Sequence, residues 1–505
     1  MDVVSRRQFL AASTAAGLAT ARAAAQPPSA RPNILFAIAD DWSWPHASAY
    51  GAPQIHTPNF DRVAANGCLF TNAFVCAPQC SPNRASILTG RYIWELEEAG
   101  SHFGYFPSKF TVFPDLLEQA GYHIGLTMKG WSPGDLKGSG RTRNPAGPEF
   151  NKQRLESTPT DGINRADYAG NFADFLAQKP EGQPFYFWYG CTEPHRKYAV
   201  GSGKAAGKDP GKVTVPPFLP DTSTVRDDLL DYYLEVEWFD AHLGKMIDLL
   251  EQKGLLQNTL VVVTGDNGMT FPGAKANVYE YGIHVPLAMA WGKRIPAGQT
   301  VESPVSFVDL APTFLNAAGL PPDPVMTGHS FLGMAAGGPT LVRDHVLAGL
   351  ERHSHARYDH LGYPMRAIRT ADYLYIRNFK SDRWPAGDPP YYFDIDDGTT
   401  KRFMIANQDQ FPELFQHSFG KRPEEELYEV KSDPGCLRNL TGNPEFDAVR
   451  ASLRERLEAE LTRTNDPRMS GGGAVFESYP YFANMHPKLG GFATRGEYNP
   501  AVLPK

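Results

Sequence analysis

The sequence predicts an α/β protein with a large, mainly parallel sheet flanked by helices, followed by a smaller C-terminal α+β subdomain built on an antiparallel sheet. Three observations carry this prediction. Apolar segments of strand length recur between residues 33 and 264, amphipathic segments separate them, and the character of the sequence changes near residue 345. The chain has 505 residues, more than one hydrophobic core usually supports, which favours two structural units.

Four continuous apolar segments are typical of strands that are buried on both faces, as in a parallel sheet. They are residues 33–39 (NILFAIA), 123–127 (HIGLT), 185–189 (FYFWY) and 259–264 (TLVVVT). Polar residues follow each segment, namely Asp40 and Asp41, Lys129, His195, and Asp266 with Asn267. Open α/β sheets bind ligands at the carboxyl ends of their strands, so these residues predict one functional site.

The segments between the strands have helical periodicity. From Asp228 to Gly254 the apolar residues recur every three or four positions, and Gly254 is a suitable helix end. These residues are Val236, Phe239, Leu243, Ile247 and Leu250. A shorter helix is predicted over residues 113–121. Near the C-terminus a short strand at 373–376 and a charged helix at 446–463 indicate the α+β subdomain.

The N-terminal residues resemble a twin-arginine export signal. Ser5-Arg6-Arg7-Gln8-Phe9-Leu10 precedes an alanine-rich apolar segment, and Ala23-Ala24-Ala25 is a small-residue cleavage site. The alternative is an alanine-rich helix. We therefore expect a signal over residues 1–25, a catalytic domain over 26–345 and a subdomain over 346–505, in an exported protein that is periplasmic or secreted. No apolar segment is long enough to span a membrane.

The net charge of −7 argues against a nucleic-acid partner, because such proteins carry a basic excess or a basic face. An anionic substrate would have to be held by a local cluster of cations. The five cysteines, Cys68, Cys76, Cys80, Cys191 and Cys436, show no spacing that suggests zinc.

One stretch predicts a reactive site on a helix. In Cys80-Ser81-Pro82-Asn83-Arg84 the proline suits a first helical turn, and Gly90 suits the helix end. Cys80 would then lie at the helix N-terminus, where unpaired N–H groups and the helix dipole favour an anion. The alternative is an ordinary loop cysteine.

Residues 80–91, CSPNRASILTGR, resemble the signature of the sulfatase family, in which this cysteine is oxidised to formylglycine by a formylglycine-generating enzyme. The resemblance extends over most of residues 31–345 and looks closest to the heparan N-sulfatase (sulfamidase) branch. It implies an alkaline-phosphatase-like fold and hydrolysis of a sulfuric ester or sulfamate on a sulfated carbohydrate. If Cys80 is converted, the other four cysteines could form up to two disulfides, in three connectivities, or none.

Asp40, Asp41, Asp266 and Asn267 form an all-oxygen set that suits Ca²⁺ or Mg²⁺ rather than zinc. Taken alone, Asp-Asp after a strand is a common helix cap. The resemblance implies that these residues, with the group derived from Cys80, hold one divalent cation per chain, Ca²⁺ or alternatively Mg²⁺. Two-metal phosphatase relatives typically have histidine where this chain has Asn267, so the amide favours a one-metal sulfatase.

The resemblance also implies the roles of the catalytic side chains. Arg84 matches the arginine that orients formylglycine, and Lys129 and Lys275 match the lysines that contact the sulfate. His195 matches the family histidine that is suited to protonate the leaving group. Many sulfatases have Lys-x-His where this chain has Trp131, so the base that regenerates the aldehyde is open; His102 or a metal-linked carboxylate could substitute.

Substrate contacts are expected from aromatic and basic residues around the site. The candidates are Trp44, His46, Trp131, His284, Arg352 and His353. Trp44 and His46 belong to an aromatic-rich loop that could stack on a sugar or simply pack, and Arg352 and His353 to a basic cluster at residues 352–357 that could grip a second anion or be a solvated loop.

Two other functions share these features. One is hydrolysis of phosphonate or phosphate esters, and the other is a non-catalytic, sulfatase-like glycan-binding protein. The sequence leaves the sugar, the N- or O-linkage, and the oligomeric state open.

Overall fold

The computed structural model describes residues 31–339 and 343–482. The predicted export signal at residues 1–25 lies outside this part of the chain. The described residues form a large, mainly parallel sheet with helices on both faces and a second, antiparallel sheet after residue 344. The predicted α/β class, with its C-terminal α+β unit, is confirmed.

The strands are β1 (Asn33–Ala39), β2 (Cys68–Phe70), β3 (Ala73–Phe74), β4 (His123–Met128), β5 (Phe185–Gly190), β6 (Thr259–Gly265), β7 (Leu287–Ala290), β8 (Gln299–Val301), β9 (Val305–Ser306), β10 (His345–Leu350), β11 (Met365–Thr370), β12 (Tyr373–Asn378) and β13 (Glu425–Glu429). The α-helices are α1 (Pro58–Ala65), α2 (Cys80–Thr89), α3 (Phe113–Gln119), α4 (Tyr168–Gln178), α5 (Ser202–Ala205), α6 (Ser223–Gln252), α7 (Glu280–Ile283), α8 (Leu310–Ala317), α9 (Leu332–Ala335), α10 (Thr399–Ala406), α11 (Pro412–Phe419), α12 (Asp447–Arg463) and α13 (Val475–Ser478).

The large sheet has the strand order β4-β5-β1-β6-β7-β2-β8. The first four strands are parallel, β7 runs antiparallel to both of its neighbours, and β8 is parallel to β2. The central strands β1, β5 and β6 are buried along their whole length. Their apolar sequences follow from this burial, since helices cover both faces of a parallel sheet.

The core lies in two layers, one on each face of the sheet. Alternate residues of β1 point to opposite faces, so that Phe36 packs in one layer and Leu35 in the other. Helix α6 covers the second layer with the apolar stripe predicted from the sequence, including Phe239 and Leu243. It begins earlier than expected because Thr222 caps it, and Gly254 follows its end with a φ of +66°.

The C-terminal unit is a four-stranded antiparallel sheet in the order β10-β11-β12-β13. Helix α12 buries Leu453, Leu457 and Leu461 against the core. Because β10 begins at His345, the second sheet starts where the sequence changes character. The exact domain boundaries remain a prediction.

All five cysteines are described, buried and free, so the described chain contains no disulfide. Among the described helices none is both long and apolar enough to cross a membrane.

Candidate active site

Adjacent strands bring the four predicted metal ligands together. Asp40 and Asp41 follow β1, while Asp266 and Asn267 follow β6, and Ala39 and Gly265 are paired in register at these strand ends. The Asp41 N–H donates to Asp266 Oδ1 (2.9 Å), and Asn267 Nδ2 donates to Asp41 Oδ1 (2.6 Å). The four side chains are fully buried or nearly so.

Cys80 is the first residue of α2 and faces this group. Its Sγ lies 3.4 Å from Asp40 Oδ1 and 4.0 Å from Asp41 Oδ1. Burial, together with the charge of Asp40, raises the pKa of the Cys80 thiol well above its ordinary value.

Three cations surround the acidic group, of which Arg84 and Lys275 are buried and Lys129 is largely buried. Arg84 Nε donates to Asp266 Oδ2 (2.7 Å), and its Nη1 donates to the Lys129 carbonyl (2.5 Å). Lys129 Nζ forms an ion pair with Asp40. Lys275 Nζ lies between Asp41 Oδ2 (2.9 Å) and a carboxylate of the C-terminal unit, Asp396 Oδ2 (3.0 Å).

The carboxylates respond differently to this environment. Burial raises the pKa of Asp40, but the nearby charges, Lys129 foremost, outweigh burial and hold that pKa well below its usual range. Burial raises the pKa of Asp266 to about 6, because Arg84 offsets only part of the desolvation. Conversely, burial lowers the pKa of Lys129, but Asp40 outweighs it and raises the net value.

The donor set fits a divalent cation. Ligand atoms from Asp40, Asp41, Cys80 and Asp266 all lie within 4.8 Å of one another. The buried Asn267 Oδ1 has no hydrogen-bond partner among the described residues, as expected of an atom reserved for a ligand. Oxygen ligands of this kind are those that a hard cation prefers.

His195 stands at the entrance to this site. Its Nδ1 contacts the Arg196 carbonyl at 2.7 Å, and its Nε2 lies 3.7 Å from Asp41 Oδ2. The side chain is 33 % exposed and lines a pocket of about 480 Å³, whose wall also includes Asp40 and Lys129. Of the predicted catalytic residues and ligands, Asp40, Lys129 and His195 line this pocket.

The structure removes Trp131 from the reacting groups. Its side chain is buried in the hydrophobic core, edge-on to Phe106 with ring centroids 5.3 Å apart. His102, the alternative base, is buried and packs against His353, with ring centroids 4.5 Å apart. Both ring nitrogens of His102 lack hydrogen-bond partners among the described residues. Burial and the charge of His353 lower the pKa of His102 well below its usual value.

Two predicted sugar contacts are instead packing residues. The His46 ring is buried between Tyr232 and Tyr233, and burial lowers its pKa to about 3. His284 is buried, with Nδ1 3.0 Å from Glu280 Oε1 and Nε2 2.9 Å from a backbone carbonyl. Neither ring has an open face for a sugar, which corrects the prediction.

Trp44 is only partly buried, but one of its faces is stacked on His284 at 4.4 Å. This contact covers one face of the indole, so the predicted stacking on a sugar could use at most the other face.

The basic cluster at residues 352–357 is not a solvated loop, because Arg352, His353 and Arg357 are buried. Arg352 is buried, donates to the Tyr479 carbonyl (2.8 Å) and lies over the Tyr481 ring. His353 is buried with Nδ1 3.3 Å from Asp394 Oδ1. The Arg352 guanidinium joins the C-terminal segment to the subdomain through these contacts, and its role in binding an anion stays a prediction.

Sequence reasoning missed Asp396 and Asn83. Asp396 belongs to an acidic loop, DIDD, far from any predicted strand end, and no spacing connects it to Lys275. Asn83 lies inside the Cys80 segment, and its Nδ2 donates to the Asp266 carbonyl (2.6 Å), which fixes α2 against the end of β6. Its position within the motif was the one available signal.

A mainly parallel sheet thus brings a group of carboxylates together beside the N-terminus of a helix. The chain belongs to the sulfatase family, whose model, described as "Sulfatase", matches residues 32–320, more than half of the sequence. A second model, "N-sulphoglucosamine sulphohydrolase, C-terminal", matches residues 273–388. The chain is therefore a sulfatase, similar to the sulfamidase branch.

Characterised relatives align along most of the chain. An ulvan-active sulfatase from Formosa agariphila is 26 % identical over 471 residues, covering 86 % of this chain and 76 % of the relative. Human N-sulphoglucosamine sulphohydrolase is 28 % identical over 491 residues, covering 89 % and 93 %. A solved structure of a protein in complex with its substrate, D-glucosamine-2-N,6-O-disulfate, shares the fold with a TM-score of 0.60 and 23 % identity, covering 86 % and 98 %.

Proposed function

We propose that this sulfatase removes sulfate from a sulfated carbohydrate, as an ester or a sulfamate, through a formylglycine made from Cys80 and one bound Ca²⁺, with Mg²⁺ as the alternative metal. The observation that carries the proposal is the position of Cys80. Its Sγ lies 3.4 Å from Asp40 and within 4.8 Å of the other acidic ligand atoms, so an oxygen placed there would join their donor set.

Asp40, Asp41, Asp266 and Asn267 would hold the cation. When bound, the cation would supply positive charge beside position 80, and conversion of Cys80 to formylglycine would supply a hydroxyl nucleophile there.

Arg84, Lys129 and Lys275 place positive charge at the reaction centre. Arg84 is fixed by Asp266 and the Lys129 carbonyl, and its Nη2 has no partner in the described structure, which leaves one N–H pair for the group at position 80. Lys129 and Lys275 each pair with one of the two ligand carboxylates after β1. Fixed cations of this kind stabilise negative charge that develops on sulfate oxygens.

His195 is placed to deliver a proton to the leaving group. A carbonyl can only accept, so the contact with the Arg196 carbonyl assigns a hydrogen to Nδ1. Nε2 then faces Asp41 and the open pocket, and it carries the exchangeable proton of the imidazolium. For regeneration of the aldehyde, His102 remains the candidate base, because its nitrogens are free of other partners among the described residues.

The substrate class rests on the relatives. Their names include ulvan-active sulfatases and N-sulphoglucosamine sulphohydrolase, and both point to sulfated carbohydrates. We infer that the chain also acts on a sulfated poly- or oligosaccharide. The export signal predicted at residues 1–25 would bring it to such a substrate outside the cytoplasm, and maturation would require a formylglycine-generating enzyme.

Comparing sulfate, sulfamate and phosphate esters of one alcohol or amine side by side tests the proposal. We expect kcat/KM for the sulfated compounds to exceed that for the phosphate and phosphonate esters, because Asn267 replaces the histidine of two-metal phosphatases. The Cys80→Ala protein should fold and show no turnover. A larger kcat/KM for the phosphoester would favour the phosphoesterase alternative, and turnover by Cys80→Ala would refute the nucleophile.

A further inference from the structure

The pocket above the catalytic residues has positive charge that the proposed chemistry does not use. Two loops form its wall: the loop between β4 and α4, which contributes residues from Arg154 to Arg165, and the loop after β5, which contributes residues from Thr192 to Lys197. Asp40 and Lys129 lie on the same lining, so the wall is continuous with the reaction centre.

Most of the acidic groups in the pocket are already satisfied. Asp40 pairs with Lys129. Glu193 is buried and accepts hydrogen bonds from the Tyr168 hydroxyl (2.6 Å) and the Asn164 N–H (2.8 Å). Asp161 is the one lining carboxylate that makes no ion pair or side-chain hydrogen bond with other residues of the described ranges.

The lining cations without an acidic partner outnumber the lining carboxylates without a cationic partner. Arg196 is committed to Asp228 by two hydrogen bonds of 2.9 and 2.7 Å. Arg154 and Lys197 are exposed, and their side chains have no ion pair or hydrogen bond to any residue that the structure describes. Arg165 donates to two backbone carbonyls (3.0 and 2.5 Å), which do not neutralise it. Three lining cations without an acidic partner, Arg154, Arg165 and Lys197, therefore outnumber the two lining carboxylates without a cationic partner, Asp161 and Glu193.

Backbone contacts within and between the two loops hold these cations in place. The Leu155 N–H donates to the Arg165 carbonyl (2.7 Å), which closes the first loop on itself. A Cβ added to Gly162 would lie 2.8 Å from the Lys197 carbonyl oxygen and 2.9 Å from the Ala199 nitrogen, so the two loops touch at a point where only glycine fits. The backbone positions of the cations are thereby fixed relative to the catalytic residues.

We propose that Arg154, Arg165 and Lys197 form a subsite for a second anionic group of the substrate, either a uronate carboxylate or a further sulfate, beside the sulfate that is removed. The proposal deepens the proposed function and rests on it for the identity of the substrate. Guanidinium and ammonium groups bind carboxylate and sulfate through charge-assisted hydrogen bonds, so both sources offer the same chemistry.

Binding to the Cys80→Ala protein tests the subsite without turnover. Isothermal titration would use glucosamine 6-sulfate, glucosamine 2-N,6-O-disulfate, and a glucosamine 6-sulfate joined to a uronate. Arg154→Gln should weaken binding of the two dianionic probes about tenfold relative to the monosulfate, and Arg154→Gln/Lys197→Gln should weaken it further, since a hydrogen bond to a charged group contributes roughly tenfold or more. Lys152→Gln, an exposed cation of the same loop outside the pocket lining, is the matched control and should change nothing.

The outcomes separate the two claims. A loss confined to the disulfate identifies sulfate as the second group, and a loss confined to the uronate probe identifies carboxylate. The subsite would be overturned if Arg154→Gln weakened binding of all three probes equally, if it weakened binding of none, or if Lys152→Gln had the same effect. If wild-type protein with converted Cys80 binds the probes but hydrolyses none, the proposed function fails while the subsite stands.

Discussion

At the scale of single residues, the site is a balance between buried charges of opposite sign. Asp266 shows this most clearly, because it is fully buried, accepts from Arg84 and Asp41, and has a pKa raised by burial to about 6. A carboxylate in that position is stabilised in its charged form by a cation. The sequence predicted this residue and its neighbours because Asp-Asp and Asp-Asn follow apolar strands directly.

Asp266→Asn tests the metal site at this scale. The amide keeps the size of the side chain but removes the charge, so we expect the Ca²⁺ content to fall from about one ion per chain to well below that value. The melting temperature should also fall, since Arg84 loses its buried counter-ion. Elemental analysis of the purified protein after dialysis measures the metal.

The matched control for this variant is Asp231→Asn. Asp231 is also buried, but it accepts from the Gly201 and Gly203 N–H groups at the N-terminus of α5 and is not among the predicted ligands. It should lose stability and keep its calcium. Asp266→Asn protein with a full complement of Ca²⁺ would remove Asp266 from the ligand set.

At the scale of elements, the short helix α7 is fastened to the C-terminal sheet. Glu280 accepts two hydrogen bonds from Arg369 of β11 (2.8 and 2.9 Å), and its Oε1 also lies 3.0 Å from His284 Nδ1. Helix α7 follows the Lys275 segment, so this ion pair holds one wall of the site against the second sheet. The sequence predicted a sugar-binding role for His284 because a lone histidine does not reveal its partners.

Glu280→Gln should expose a pH-dependent stabilisation. Burial raises the pKa of Glu280, but Arg369 and His284 outweigh burial and hold it well below its usual range. Such a carboxylate stabilises the fold above its unfolded pKa of about 4.3, and the stabilisation is lost as the pH falls below that value. We expect the variant to lose about 3 kcal/mol at neutral pH, with a gap in melting temperature that narrows below about pH 4.

Glu458→Gln is the control for this experiment. Glu458 also contacts two arginines, Arg377 at 2.6 Å and Arg454 at 3.1 Å, but its side chain is 36 % exposed. An exposed pair contributes little, so this variant should melt close to the wild type. A difference in melting temperature between wild type and Glu280→Gln that stays constant with pH would contradict a stabilising role for the ionised Glu280 carboxylate.

At the scale of the whole molecule, residues from both structural units contribute to the candidate active site. The strand ends of the large sheet were predictable, because periodicity marks the strands and parallel strands end at one edge. Asp396 was not predictable, since it reaches Lys275 from a loop of the second unit. The burial of Arg352 was missed for the same reason: its carbonyl partner at Tyr479 lies more than a hundred residues away.

The central claim is that Cys80 acts as formylglycine within this metal site. Peptide mass spectrometry across Cys80 tests it most directly, applied to preparations made with and without a formylglycine-generating enzyme and paired with the turnover of each. We expect turnover of a sulfate ester to rise in proportion to the fraction of Cys80 converted to the aldehyde. Full turnover from protein whose Cys80 remains entirely a thiol would contradict the account.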